Sequence, residues 1–342
     1  MMYSTPSGSS RRSGFTLIEL MIVISIIAVL VALSVGAFFR VRVSQQEKAT
    51  ENTLVKIQSE FNNQLRAVYD QCKDDLNNGA IPASVVALAG ESGAPGRRSL
   101  VVWFKMKMVW EFPQSFFEAQ NWPTQVAQNA FFAQYPNPQP MPGIAAQAYM
   151  KPAYYQALGS SGASQNPGTV QQFQESAALF YMALTQGRRG NKAFSPVDQV
   201  GPQSIATVVL YGTSFNVFVD AFGNPISFIR WPSGGNWSDL NVVGGAPSPL
   251  APVNGAGLPI DPQDPERSLV DQDWNSSSLA STFANLLHPV ATNNYPLNLT
   301  PVIFSWGRDG NPGVDAFFNY GGAAENDNIY AYRLIGAGRG AN

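Results

Sequence analysis

Residues 15–39, FTLIELMIVISIIAVLVALSVGAFF, form an apolar run that carries one ionisable side chain, Glu19. As a helix rising ~1.5 Å per residue the run spans about 37 Å, enough to cross a bilayer with some tilt. Arg11 and Arg12 precede it, and the positive-inside bias places that end in the cytoplasm; Arg40 and Arg42 follow it on the other side. An ordinary secretory signal has a shorter apolar region of ~7–15 residues and no acid within it. A twin-arginine signal, suggested by Ser10-Arg11-Arg12, leaves Glu19 equally out of place. A plain anchor accounts for everything except Glu19. A carboxylate in hydrocarbon costs up to ~3 kcal/mol, so it marks a functional position.

Gly14-Phe15-Thr16-Leu17-Ile18-Glu19, followed by the long apolar run, resembles the prepilin signature of type IV pilins and type II secretion pseudopilins. The resemblance implies cleavage between Gly14 and Phe15 by a prepilin peptidase, N-methylation of the new terminal Phe15, and an assembly role for Glu19. It also implies a single-pass protein of a bacterial inner membrane, with its N-terminus cytoplasmic and its head periplasmic. The implied partners are the peptidase, other pilin or pseudopilin subunits, the assembly machinery and the membrane. Elementary electrostatics agrees with the role of Glu19. A carboxylate near a helix N-terminus is favoured by the macrodipole, and the free amine of Phe15 in a neighbouring subunit is its obvious partner. Such a pair sets axial register in an otherwise featureless apolar interface.

The helical pattern continues beyond the apolar run. Leu54, Ile57, Phe61, Leu65 and Val68 recur at three- and four-residue steps, while Glu47, Lys48, Glu51, Lys56 and Glu60 cover another face. No proline interrupts residues 15–77, and Gly79 with Pro82 supplies the stop. One helix of about 63 residues, roughly 95 Å long, is the economical reading, with Gly36 a point of local unwinding.

Composition narrows the function. With 21 basic and 23 acidic residues the net charge is −2, which excludes a basic nucleic-acid platform. One cysteine (Cys72) permits no intrachain disulfide and no multi-cysteine zinc site, and one histidine (His288) leaves the common hydrolase triads almost without parts. No nucleotide-binding or nucleophile-elbow pattern is present, so the expectation is a protein that is not an enzyme.

The expected organisation is a leader at 1–14, a transmembrane and filament-core helix at 15–39 and its amphipathic continuation at 40–78. A helical, aromatic- and proline-rich insertion at 79–203 precedes a sheet and C-terminal loop at 204–342. Residues 100–110 have an ambiguous period and are assigned to helix, as are 171–185. Strand signals fall at 204–211, 215–219, 226–231, 301–306 and 328–334. The predicted fold is α+β and pilin-like: a long N-terminal helix packed on a small antiparallel sheet, with a large insertion.

Asp220-Ala221-Phe222-Gly223-Asn224-Pro225, followed by an aromatic strand, resembles the D-x-x-G-N-P turn of major, G-type pseudopilins. Residues 305–310 and 325–329 resemble the C-terminal loop of that group, which binds calcium in several members. Residues 81–207 lie outside this resemblance. Asp309, Asn311, Asp315 and Asp327 are the candidate oxygen donors for Ca²⁺; the competing reading is a set of Asx turns that end strands. The leading function is a structural subunit of a secretion pseudopilus or related filament. The alternative is an adhesin-like binding protein displayed on a filament or membrane, favoured by the aromatic stretch.

Overall fold

The computed structural model describes residues 15–121, 154, 157–158, 169–187, 193–230, 264, 266, 268–269, 272–275, 277–287, 301–314 and 327–338. In chain order the elements are α1 (Leu17–Asn77), α2 (Ala83–Leu88), α3 (Arg97–Glu111), α4 (Phe116–Asn121), α5 (Thr169–Thr185), α6 (Pro196–Gln199), β1 (Ile205–Leu210), β2 (Thr213–Phe218), β3 (Ile226–Ile229), α7 (Gln272–Asn275), α8 (Ser278–Leu287), β4 (Val302–Ser305), β5 (Ile329–Tyr330) and α9 (Ala331–Gly338). Two compact units divide the chain, residues 1–48 and 49–342.

Helix α1 runs unbroken through Gly36, so the expected unwinding there is absent. Its end is a Schellman motif. Gly79 N–H donates to Leu76 O (3.1 Å) and Ala80 N–H to Asp75 O (2.7 Å), with Gly79 at φ 64° in the left-handed region that side chains avoid. Pro82 follows two residues beyond. Within the second unit α1 buries Leu54, Ile57, Phe61, Val68 and Cys72, the expected stripe extended by one turn. Leu65 is partly buried against the same core.

The period of residues 100–110 was ambiguous because α3 is covered all round. Every residue from Leu100 to Val109 is buried, so no polar stripe marks an outer face. Two lysines lie inside. The Lys107 ammonium sits over the Trp103 and Trp110 rings (4.8 and 5.2 Å) and 3.9 Å from Asp75 of α1. Trp103 Nε1–H also donates to Asp75 (2.8 Å).

The strands form two sheets rather than the one expected. β1 and β2 make an antiparallel hairpin, Ile205 opposite Phe218 and Leu210 opposite Thr213. β3, β4 and β5 form an antiparallel sheet in that order. The split lies at residues 220–224. After β2 the chain turns so tightly that Val219 bridges Pro225, and β3 then pairs with β4 instead of continuing the hairpin. The strand expected at 328–334 is a further correction: only Ile329 and Tyr330 pair, and Ala331–Gly338 is helical. The turn of helix brings the Arg333 guanidinium over the Tyr330 and Tyr332 rings (4.6 and 5.6 Å), which an extended chain would not do for Tyr330.

Phe61 joins the layers. Its ring lies 5.1 Å from Phe112, 5.8 Å from Phe180 of α5 and 5.3 Å from Phe228 of β3. Phe180 and Phe228 stack at 4.9 Å. Helices from residues 79–203 therefore share one core with α1 and the three-stranded sheet. The long N-terminal helix with small antiparallel sheets is an α+β, pilin-like fold. Within the insertion, Pro136, Pro138, Pro140 and Pro142, which read as a proline-alternating loop, lie outside the described residues.

Candidate functional site

The first turn of α1 is built by a reciprocal cap. Thr16 precedes the helix and Glu19 is its third residue. Glu19 N–H donates to Thr16 Oγ1 (3.2 Å). In return Glu19 Oε2 accepts both the Thr16 backbone N–H (2.9 Å) and the Thr16 hydroxyl (2.9 Å). This is a capping box, which satisfies two otherwise orphaned donors and fixes where the helix begins. Phe15 is left just outside the helix and 85% exposed. The carboxylate is thus held at the positive end of the helix dipole, beside the residue expected to become the N-terminus. Gly14 lies outside the described residues.

The body of the site is the apolar surface that follows. From Leu17 to Val41 every residue is exposed, and the apolar window of α1 has none of its residues buried within the chain. A bare apolar surface of this kind suits lipid or other subunits around it.

The C-terminal loop is organised around Asp220. This buried carboxylate accepts Phe222 N–H (2.9 Å) and Asn224 N–H (2.8 Å) on Oδ1, and the Ser305 hydroxyl (2.6 Å) on Oδ2. Burial pushes its pKa above the ordinary carboxylate range, against the pull of those hydrogen bonds. Asn224 Nδ2–H donates to Gly307 O (2.7 Å), and Ala221 N–H donates to Thr50 Oγ1 on α1 (3.1 Å). The D-x-x-G-N-P turn therefore fastens β4 and the following loop to α1.

Asp327 closes the other side. Its Oδ2 accepts Arg308 N–H (2.7 Å) and Asp309 N–H (2.9 Å). The approach is close enough that a Cβ at Gly307, whose φ is 71°, would run into the Asp327 backbone carbonyl. Asp309 Oδ1 accepts Asn311 N–H (2.8 Å), and Asn311 Oδ1 accepts Gly313 N–H (3.2 Å), two Asx turns in succession. Hydrogen bonds thus link Asp309 to both Asn311 and Asp327, while Asp315 lies outside the described residues. Among the described residues no group of three or more His, Cys, Asp or Glu side chains is placed to hold a metal ion.

Two participants escaped the sequence reading. Thr16 was legible as the first member of a T-x-x-E capping box. Thr50 gave no local signal, since its partner lies 171 residues away in sequence.

Residues 9–35 match the family model described as the prokaryotic N-terminal methylation motif, the signature of type IV pilins and pseudopilins. No curated protein and no solved structure matches the chain.

Proposed function

We propose that this type IV pilin-like chain is a structural subunit of a type II secretion pseudopilus or a related type IV filament, working by assembly and not by turnover. The exposed apolar helix, with its single acid held in the first turn beside Phe15, carries the reading. Hydrolysis of the Gly14–Phe15 amide by prepilin peptidase leaves a free Phe15 amine, which stays basic after one methyl group is added. An ammonium at the positive end of a helix is unfavourable, and Glu19 of an adjacent subunit relieves it while fixing register. Thr16 occupies one oxygen of Glu19 and keeps the side chain pointed to the helix end. The unassembled subunit sits in the inner membrane with the leader cytoplasmic and the head periplasmic.

N-terminal mass analysis with and without the peptidase tests processing: the mature chain begins at N-methylated Phe15. Any other start removes the basis of the proposal. Glu19→Val should insert in the membrane, because its span is more apolar, and fail to assemble. Normal filament yield from that variant contradicts the pairing.

Calcium binding by the C-terminal loop belongs to the same proposal and rests on the sequence resemblance. Asp309, Asn311, Asp315 and Asp327 are its donors, with main-chain carbonyls completing the shell.

A further inference from the structure

Arg40 and Arg42 follow the apolar run immediately, and both are exposed. Neither takes part in an ion pair among the described residues. The nearest acids along the helix are Glu19, 21 residues before Arg40, and Glu47, five residues after Arg42. Neither spacing is the three or four residues that brings helical side chains together. Two residues apart on a helix is a rotation of about 200°, so the guanidinium groups leave α1 on nearly opposite sides. A single neighbouring helix meets one of them and not the other. A layer of anions surrounding the helix meets both.

We infer that Arg40 and Arg42 form a collar for the phosphodiester groups of anionic membrane lipids, which holds the unassembled subunit at a fixed depth. The inference rests on the membrane-subunit reading above. Guanidinium suits this partner because its planar fork binds phosphate oxygens in pairs, while the preceding Phe38 and Phe39, both exposed, sit at the edge of the hydrocarbon. The depth has a consequence at the other end. Glu19 and Arg40 are separated by about 32 Å along the helix, close to the ~30 Å of a hydrocarbon core. With the arginines in one headgroup layer, Glu19 lies at the opposite boundary and its carboxylate stays out of the bilayer interior. Lifting the helix by one turn, about 5.4 Å, draws Glu19 into hydrocarbon and both arginines away from phosphate. The collar and the acid both resist lifting, and the collar alone resists the opposite displacement, which would pull the arginines into hydrocarbon.

The test uses the full chain with Cys72→Ser and a nitroxide on Ser25→Cys, reconstituted in phosphatidylcholine vesicles with and without one quarter phosphatidylglycerol. Label depth and the headgroup composition of protein-retained lipid are read together. With both arginines present, phosphatidylglycerol should be enriched about fivefold for each arginine over the bulk, and the enrichment should fall with salt. Arg40→Gln with Arg42→Gln should abolish it and let the label move about 5 Å towards the leader-side leaflet, as residues 40–43 enter the hydrocarbon. Arg40→Lys with Arg42→Lys should keep most of the depth. A label buried in hydrocarbon at one depth for all variants and both lipids overturns the collar and leaves the spanning reading intact. A label in water throughout overturns both.

Discussion

Asp220 is where burial and hydrogen bonding compete most directly, and the outcome decides how the C-terminal loop responds to pH. Asp220→Ala leaves the Phe222 N–H, the Asn224 N–H and the Ser305 hydroxyl without their acceptor. At about 1–3 kcal/mol for each buried donor left unmade, and with partial relief by water, the loss is about 3–5 kcal/mol. Asp220→Asn is the informative partner. Its Oδ1 still accepts the two backbone amides, and its Nδ2 faces Ser305, whose hydroxyl can turn to accept. Burial holds the folded-state pKa of Asp220 above its unfolded value, so the charged form is the disfavoured one. The stability this group contributes is then fully present below about pH 3.9 and is lost as pH rises through the raised folded-state pKa. The assay is thermal unfolding of the full chain in detergent from pH 3 to pH 7, scored as Tm of the asparagine variant minus Tm of the wild type. Taking that difference cancels the other titrating groups. It should rise with pH. A difference that falls with pH would refute the reasoning, because it would mean that the hydrogen bonds outweigh burial and favour the carboxylate.

Phe61→Ala empties a site touched by three aromatic rings and should cost about 3–5 kcal/mol, read as a lower denaturant midpoint with an unchanged m value. Thr16→Val removes the hydroxyl of the capping box; faster amide exchange at Glu19 is expected, with Thr16→Ser restoring protection, and equal exchange in all three would leave the cap without a role. Calcium should raise the Tm of the full protein in detergent, and Asp327→Ala should remove the rise; identical melting in calcium and chelator would leave only the Asx turns.

The sequence by itself determined α1 and the chemistry of its first turn. Helix start, length and stop are local matters: a T-x-x-E box, the absence of proline, and Gly79 before Pro82 act within a few residues of where they stand. The suitability of residues 15–39 for a membrane is also local, since it rests on their length and apolar composition alone. The strands β1 and β2 were legible from their β-branched and aromatic residues, and α5 as a helix over 171–185; both are properties of short stretches of chain. Only the tertiary structure decided the rest. α3 has no period to read because the core surrounds it, and its buried Lys107 is tolerated only where Asp75, Trp103 and Trp110 converge. Residues 328–334 read as a strand, yet the chain turns into helix at Ala331 after two residues of pairing. At the division into two sheets stands Asp220, whose partner Ser305 and, through the next residue, Thr50 lie far away in the chain. A carboxylate that must be satisfied in the interior draws its donors from wherever folding places them, and no short-range pattern in a sequence records that choice.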